Sequence, residues 1–523
     1  MKGGSRPKRT RKSYREETRE AARREALPSR KGRRRDTTAK EAASALLFRM
    51  PKFTIRPRFR YMPDSVAATC YDVRRNYFIQ TRWGLHHFFR PRSQTMNEQA
   101  SEQASDAQNS PANGMEMYDR NVDAIAAFIE SGCIAGEGAL GIELEHVIVR
   151  EDGSPVNYSG EDGIQSVLEV LRADYPQATY DAEGDLLGVA RPGEAVTIEP
   201  AAQVELSAGP FHELASAQAC FERFEEKLCD VLAPKHGKLA KTGYHPTARA
   251  TSLELIPKQR YEYMNRYLGA VSPFGPCMMR GSASTQVSID YASIGDCIRK
   301  YRFASMLTPI LSLICDNSPI FEGAPRTHRM VRTEIWQHCD PERCGIVPGA
   351  VEDGFSLRDY ARWVYDTPAI LVPDGQGGWL EDSRRFSEIY AARPMDRADI
   401  EHALSMVFPD VRLKTYLEIR PADAMPVPYV VAYAALVKGI FYCEMSLARV
   451  EELIGGITTS DVERAKNSLQ ELGYAGEVYG GPAAEFADEV IAAARAGLSE
   501  SERGFLEPLE KLVAARTTLA DLG

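Results

Sequence analysis

The clearest pattern in the chain is an alternation of apolar and polar side chains in residues 141–146, which predicts a β-strand with one buried face. Glu143 and Glu145 share one face of this strand, and Ile142 and Leu144 share the other. Two carboxylates on one face repel each other unless a cation lies between them. Hard oxygen ligands suit Mg²⁺ or Mn²⁺. Taken alone, the pattern also fits an ordinary strand with two solvated glutamates.

Three later stretches repeat this design, each with a polar face backed by an apolar one. Their polar positions are Gln203 and Glu205 in residues 197–207, Gln286, Ser288 and Asp290 in residues 284–291, and Glu418 and Arg420 in residues 413–420. The solvent-exposed face of an ordinary strand would carry Lys and Thr instead. The repeated Glu, Gln and Asp therefore favours a polar funnel that binds divalent cations, for which a polyphosphate is the natural bridging ligand.

Helical periodicity separates and follows these strands. The predicted helices are residues 123–131, 161–174, 214–233 and 295–315, and the pattern is mostly helical from residue 428 onward. Strands and helices alternate irregularly, and no glycine-rich phosphate loop accompanies them. The pattern therefore predicts an α+β fold with an antiparallel sheet instead of a doubly wound parallel one.

Charge divides the 523 residues into two parts. Residues 1–95 hold 26 Lys and Arg against 8 Asp and Glu, whereas the rest of the chain holds 38 against 65. We predict a basic, disordered arm at residues 1–95, a linker at 96–116, a catalytic domain at 117–445, and a C-terminal helical region at 446–523 that packs on the catalytic domain.

The basic arm admits three interpretations. It can bind nucleic acid or another polyanion. It can be a targeting segment, although four glutamates within residues 16–25 are unusual for an acid-poor transit peptide. It can also be translated sequence upstream of a true start at Met96 or Met115. We favour the third interpretation, because the acidic remainder forms a complete pattern without the arm and the arm carries no binding motif.

Cysteine usage and hydropathy bear on location. The ten cysteines are scattered without a CxxC pair, which fits reduced thiols in a cytosol. No apolar run reaches the length of a membrane-spanning helix. We therefore predict a cytoplasmic protein with no membrane partner. The sequence does not predict an oligomeric state.

One further segment, residues 332–345, lies between the third and fourth strands and carries candidate chemistry. Arginine recognises a carboxylate or phosphate with two donors. Arg332 and Trp336, which are four residues apart, can therefore hold one substrate between a charge and a ring. The segment also fits a surface turn, because Asp-Pro and Cys-Gly pairs are typical of turns.

Taken together, these stretches resemble glutamate–cysteine ligase of the plant and proteobacterial branch. The matching motifs, in the family's order, are residues 141–145, 199–208, 257–264, 284–291, 317–323, 331–336, 342–345 and 411–423. Three departures stand out. Ala201 and Ala202 replace a Gly-Gly pair, Ser288 replaces Asn, and Pro421 replaces Gly.

The resemblance implies a glutamine-synthetase-like sheet that forms a funnel-shaped active site flanked by helices. It also implies ATP-dependent joining of the γ-carboxylate of L-glutamate to the amine of L-cysteine through a γ-glutamyl phosphate, the first step of glutathione-type thiol synthesis. Two alternatives remain: a ligase that uses another amine, and a non-catalytic binding protein of the same fold.

The resemblance also suggests roles for individual residues. We assign Mg²⁺ or Mn²⁺ to Glu143, Glu145, Glu205 and Glu418, and ATP to Gln286, Ser288 and Asp290, with Gln286 as a further candidate metal ligand. We assign substrate binding to Arg332, Trp336 and Gln203, and catalysis to Arg332 and Arg420, of which Arg420 orders Glu418 or meets a phosphate.

Overall fold

The computed structural model describes residues 111–523 apart from Glu137, Ala182 and Gly377. The predicted basic arm at residues 1–95 lies outside the described residues, as does most of the predicted linker at residues 96–116. All described residues fall within one compact unit of the chain.

The described residues form helices and strands in irregular alternation. The strands are β1 Leu140–Arg150, β2 Gln177–Tyr180, β3 Leu186–Arg191, β4 Glu194–Ile198, β5 Val204–Phe211, β6 Gly237–Ala240, β7 Ser284–Ile289, β8 Ile320–Phe321, β9 Ala324–Pro325, β10 Cys344–Gly345, β11 Pro368–Pro373, β12 Trp379–Arg385, β13 Phe408–Pro409, β14 Val411–Leu413, β15 Leu417–Asp423, β16 Glu477–Val478 and β17 Gly481–Pro482. The α-helices are α1 Pro111–Glu130, α2 Ile164–Leu171, α3 Leu214–Leu232, α4 Gln259–Val271, α5 Phe274–Pro276, α6 Ile294–Ile314, α7 Val331–Cys339, α8 Leu357–Tyr365, α9 Phe386–Ile389, α10 Arg397–Ser405, α11 Val427–Phe441, α12 Glu444–Ile454, α13 Thr459–Leu472, α14 Ala483–Gly497, α15 Arg503–Ala514 and α16 Leu519–Leu522.

One large antiparallel sheet organises the fold. Its strand order is β14-β15-β7-β1-β5-β4-β3-β2, and β6 pairs with the C-terminal half of β1. Every strand pairing within it is antiparallel. The predicted α+β fold with an antiparallel sheet is therefore confirmed.

The predicted strands all lie in this sheet, and their apolar faces form its buried side. Eight apolar side chains from β1, β5, β7 and β15 are at most 1% exposed, and they are Ile142, Leu144, Val204, Leu206, Val287, Ile289, Leu417 and Ile419. Helix α11 packs against β1 and β7, and helix α6 packs against β15. Burying one face leaves the other available for polar side chains.

The structure corrects the prediction of a single strand over residues 413–420. The chain reverses direction there, because the backbone N–H of Lys414 donates a hydrogen bond to the carbonyl of Tyr416 (2.8 Å). Strand β14 consequently ends at Leu413 and forms a hairpin with β15, in which Arg412 pairs in register with Glu418. The hairpin adds a strand whose polar side chains join those of β15.

Helix α1 is longer than the predicted helix at residues 123–131, and it begins within the predicted linker. Its Asn121 is completely buried and donates hydrogen bonds to the Tyr365 hydroxyl (2.8 Å) and to the carbonyls of Tyr390 and Arg393 (both 3.2 Å). A buried asparagine interrupts the apolar periodicity on which the prediction relied. Helix α2 is shorter than the predicted helix at residues 161–174.

The C-terminal helices contact the rest of the described chain extensively. Helix α11 packs against α12, α14 and α15, across the boundary predicted at residue 445, which itself stays a prediction.

Among the described helices, none alone has both the length and the apolar composition to span a membrane. One pair bent by 87°, α11 with α12, meets these two criteria jointly.

Candidate functional site

The polar face of the sheet brings together the carboxylates of β1 and β5. Glu143 pairs in register with Ser207 of β5 and with Gln286 of β7. Glu145 pairs with Glu205. The alternation of side chains along each strand therefore places these groups as the sequence predicted, on one face of neighbouring strands.

Four carboxylates of this face, those of Glu143, Glu145, Glu199 and Glu205, lack ion-pair partners. Among the described residues, none of them has the Lys or Arg partners that other buried carboxylates of the sheet possess. Glu205 accepts hydrogen bonds from the hydroxyls of Thr197 (2.9 Å) and Ser207 (3.0 Å). Glu199 follows β4 and received no role from sequence reasoning, although it stands in one of the matching motifs.

Burial and the repulsion of neighbouring carboxylates raise the pKa of Glu143, Glu199 and Glu205. Burial, followed by the charge of Glu418, raises the pKa of Glu143 to about 7. Burial, followed by the charge of Glu145, raises the pKa of Glu199 to about 7. Burial and the charge of Glu143 hold the pKa of Glu205 well above its usual range. A nearby cation favours ionised carboxyls, so the chemistry of this donor set fits a hard divalent cation.

The side chains as they lie do not form a ready-made metal cage. No group of three or more Asp, Glu, His or Cys residues in the described part of the chain is arranged to hold a metal ion. Glu145 is turned toward β7, where it accepts hydrogen bonds from the backbone N–H (2.9 Å) and hydroxyl (2.6 Å) of Ser284. The predicted ligand set is therefore not assembled in the structure.

The contacts of Glu418 disfavour the metal-ligand role predicted for it. Its carboxylate is fully buried and accepts hydrogen bonds from Arg412 Nε (2.7 Å), Lys414 Nζ (3.1 Å) and Arg420 Nη1 (2.9 Å). Burial opposes ionisation, but the three cations, Arg412 foremost, hold the pKa of Glu418 well below its usual range. A divalent cation would meet three positive charges at this position.

Sequence reasoning missed Arg412 and Lys414, although a signal was present. The two basic residues alternate with the buried Val411 and Leu413, as residues on the polar face of a strand do. Strand β14 and the turn that follows it thus contribute two cations to the face on which β1 and β5 place carboxylates. We call Arg412, Lys414 and Arg420 the cationic cluster.

Arg420 connects the cationic cluster to the carboxylates. Its Nη1 donates to Oε1 of Gln286 (2.5 Å) as well as to Glu418, and its guanidinium lies 5.7 Å from the ring centroid of Trp336. Gln286 in turn donates to the carboxylate of Glu145 (3.4 Å). The predicted contact between Arg420 and Glu418 is present.

Arg332 and Trp336, which were predicted to hold one substrate, contact different parts of the structure. It is 3% exposed, and its Nη1 donates to the carbonyls of Ala422 (2.8 Å) and Pro421 (3.2 Å) and lies 3.9 Å from Oδ1 of Asp423. Both residues project from α7, yet Arg332 reaches into the backbone of β15, while Trp336 lies beside Arg420. The structure therefore gives Arg332 a role in supporting β15.

We expect Arg332→Met to lower the free energy of unfolding by about 2–4 kcal/mol, because it leaves buried backbone carbonyls without this donor and removes the positive charge beside the buried carboxylate of Asp423. Urea denaturation of the metal-free protein measures this change. Arg329→Met is the matched control, because Arg329 pairs with Asp521 at a more exposed site and its loss costs about 0–1 kcal/mol. Unchanged stability together with a raised KM for glutamate would restore the substrate role.

The contacts of Gln203 likewise disfavour the substrate role predicted for it. The side chain is 4% exposed, its amide donates to the carbonyls of Ser282 (3.1 Å) and Arg280 (3.2 Å), and its Oε1 accepts from the backbone N–H of Ala201 (2.9 Å). These bonds hold the turn between β4 and β5. Ala202 in this turn has φ of 66°, so the chain keeps the left-handed conformation that the family's glycine would favour.

The residues predicted to bind ATP divide between two places. Gln286 lies among the charged groups, and Ser288 lines a small cavity together with Gly141, Glu143 and Ser207. Asp290 lies beyond the end of β7, and its carboxylate accepts a hydrogen bond from the backbone N–H of Ala139 (3.3 Å), just before β1. The structure thus supports a structural role for Asp290 and leaves the ATP role of the other two as a prediction.

A second basic group, Lys258 and Arg260, lies at the start of α4, and the sequence analysis did not identify it. Lys258 Nζ lies 4.4 Å from the ring centroid of Tyr261, and burial, followed by the charge of Arg260, lowers the pKa of Lys258 to about 8. The charges of Glu199 and Glu205 act in the opposite direction. The segment stands in the matching motif at residues 257–264, and the closely spaced Lys, Arg and Tyr were its signal.

The polar face therefore combines carboxylates on β1 and β5 with cations on β14, β15 and α4. Such a division suits the binding of anionic substrates. The family model described as Glutamate-cysteine ligase family 2 (GCS2) matches residues 139–513, and the chain belongs to this family. The predicted family and the predicted class of enzyme are confirmed.

Named relatives agree with this family over most of the chain. The chloroplastic glutamate–cysteine ligase of Nicotiana tabacum is 32% identical over 418 residues, which cover 76% of this chain and 78% of the relative. Chloroplastic glutamate–cysteine ligase B of Oryza sativa subsp. japonica is 28% identical over 414 residues, covering 76% and 82%. A solved glutamate–cysteine ligase from Francisella tularensis in complex with AMP has a TM-score of 0.43 at 12% identity, covering 74% and 84%.

The predicted cytoplasmic location is wrong. The prediction rested on cysteine usage, which reports a reducing environment and does not identify a compartment. The named relatives from tobacco, rice and Arabidopsis thaliana are all chloroplastic enzymes.

Proposed function

We propose that this protein is an ATP-dependent glutamate–cysteine ligase that forms γ-glutamylcysteine, ADP and phosphate from ATP, L-glutamate and L-cysteine. The observation that carries the proposal is the division of the polar sheet face into a carboxylate half and a cationic half, in a chain of this family. The reactants are mainly anionic, so cations are required to bind them. The negative charge of the ATP phosphates must also be neutralised before the carboxylate can attack.

The reaction fits two displacement steps. In the first, a γ-carboxylate oxygen of glutamate attacks the terminal phosphorus of ATP, a new O–P bond forms, and the bond to ADP breaks. In the second, the cysteine amine attacks the acyl carbon, a C–N bond forms, the C–O bond breaks, and phosphate leaves while the amine gives up its proton. The enzyme contributes positioning and charge stabilisation in both steps.

The cationic cluster fits the transferring phosphoryl group. Arg412, Lys414 and Arg420 converge on the single carboxylate of Glu418, so their three positive charges exceed its one negative charge. Arginine donors match phosphate oxygens in pairs. We assign these residues to orienting the phosphoryl group and stabilising the negative charge on its oxygens.

The carboxylates of this face that lack ion pairs fit a divalent cation. Glu143, Glu199 and Glu205 would hold Mg²⁺ or Mn²⁺, with Glu145 as a further ligand once it leaves Ser284. A bound cation of this kind would neutralise the phosphate chain of ATP. Their own repulsion keeps these carboxylates from lying together without one.

The proposal is tested by incubating the purified protein with ATP, Mg²⁺, cysteine and glutamate labelled with ¹⁸O in its γ-carboxylate. We expect γ-glutamylcysteine, ADP and phosphate that carries one ¹⁸O atom, because the carboxylate oxygen leaves with phosphorus. Unlabelled phosphate, or AMP with pyrophosphate, would contradict the acyl-phosphate route. A product formed only with another amine would support the ligase of different specificity, and substrate binding without turnover would support the binding protein.

A further inference from the structure

Helix α13 of the C-terminal region carries a buried ion pair that reaches toward the proposed site. Lys466 is 1% exposed, and its Nζ lies 2.7 Å from Oδ2 of Asp410 and 2.8 Å from Oε1 of Glu463. Asp410 stands between β13 and β14, immediately before the strand that carries Arg412. A buried lysine is expensive unless it is paired, so these contacts fix where its ammonium group lies.

The same face of α13 also holds helix α7. Glu463 accepts a hydrogen bond from the amide of Gln337 (2.6 Å), and the amide of Gln470 donates to Oε1 of Gln337 (2.5 Å). Gln337 is adjacent to Trp336, whose ring lies beside Arg420. Helix α13 therefore contacts both the helix that carries Trp336 and the segment that leads into the hairpin.

Asp410 transmits this contact to the hairpin through its backbone. Its carbonyl accepts a hydrogen bond from the backbone N–H of Arg420 (3.1 Å), and its own N–H donates to the carbonyl of Gly345 (3.0 Å). Arg412, two residues further on, donates to Glu418. The position of Asp410 thus determines where β14 begins and where the backbone of Arg420 lies relative to it.

We propose that Lys466 is a positioning residue for the ligase reaction: through Asp410 and Glu463 it fixes the β14–β15 hairpin against α7, so that the cationic cluster keeps its geometry. The proposal rests on the proposed function. Buried ion pairs add little net stability but define one relative arrangement of the elements they join. Small displacements of charged groups in an active site are costly for the rate.

The proposal is tested first by steady-state kinetics and hydrogen exchange of Lys466→Met. We expect kcat/KM for ATP to fall by about 10- to 100-fold. We also expect faster backbone exchange in peptides covering residues 411–423 than in the parent enzyme. Lys438→Met is the matched control, because the partners of Lys438 Nζ are Glu502, just before α15, and the carbonyl of His212, and neither belongs to α7 or the hairpin. It should leave the exchange of residues 411–423 unchanged.

A double variant separates positioning from stability. Asp410→Asn with Lys466→Met removes the lysine and the more deeply buried of its two partner carboxylates, so the unfolding midpoint should partly recover relative to the single variant. If Lys466 positions the hairpin, kcat/KM and hydrogen exchange should stay impaired despite this recovery. The proposal would be overturned if kcat/KM and hydrogen exchange of the double variant recovered together with its stability. It would also be overturned if hydrogen exchange of the hairpin were unchanged in Lys466→Met. The exchange measurement holds even if the protein joins another amine, so the two proposals fail separately.

Discussion

Replacing Glu143 or Glu205 with glutamine should lower kcat by roughly a thousand-fold or more while the protein stays folded. Both carboxyls lie on the polar face without ion-pair partners, so their removal breaks no charge pair within the described chain. It removes a ligand for the divalent cation that the proposed reaction needs. Steady-state turnover at increasing Mg²⁺ measures the effect, and full activity of both variants at saturating Mg²⁺ would exclude the metal role.

Glu194→Gln is the control for these two substitutions. Glu194 also belongs to the sheet and is buried, but it pairs with Arg191 (2.7 Å) and Arg223 (2.6 Å). Alternation along β4 places it on the face opposite to Thr197. We expect this variant to lose stability and to retain its activity per folded molecule, the reverse of the result for Glu143 and Glu205.

Because the pKa of Glu143 is raised, the free energy of unfolding of the metal-free protein should depend on pH. Between its ordinary value of 4.5 and about 7, the folded state holds a proton that the unfolded state has lost. The free energy of unfolding should therefore fall as pH rises through this window, and Glu143→Gln should reduce that slope. Urea denaturation between pH 5 and pH 8 in EDTA measures it. Identical slopes for both proteins would contradict the assignment.

The sequence allowed prediction of the sheet because a strand has a fixed side-chain period. Alternation placed Ile142 and Leu144 in the core and Glu143 and Glu145 on the polar face, and the structure shows both. A one-residue shift would have exposed the apolar set, so the pattern specifies the face with little ambiguity. The same argument held for β5, β7 and β15.

Alternation identifies a face but not the partner that a long side chain reaches. Arg332, Gln203 and Glu418 were each assigned to ligands, yet all three make buried contacts within the protein. Arg332 extends from a helix into the backbone of β15, and that contact depends on how two elements separated by about 90 residues pack. Tertiary packing of this kind leaves no periodic signal.

Glu418→Gln should destabilise the metal-free protein by about 3–5 kcal/mol, in contrast to Glu143→Gln. The substitution leaves Arg412, Lys414 and Arg420 without their shared counter-charge in a fully buried position. Urea denaturation in EDTA measures this loss. The double variant Glu418→Gln with Arg412→Gln should recover part of the loss, because it removes one of the three uncompensated cations.

The pH dependence of Glu418 has the opposite sign to that of Glu143, because its pKa lies well below 4.5. Its contribution to stability is fully present above about pH 4.5 and is lost as pH falls through the folded-state pKa. Acidification below pH 4.5 should therefore destabilise the parent protein more than Glu418→Gln. If Glu418 were a metal ligand instead, the variant would keep its stability in EDTA and would require more Mg²⁺ for activity. Comparing the stability of Glu418→Gln and Glu143→Gln in EDTA thus distinguishes a carboxylate that neutralises the cationic cluster from a carboxylate that binds the metal.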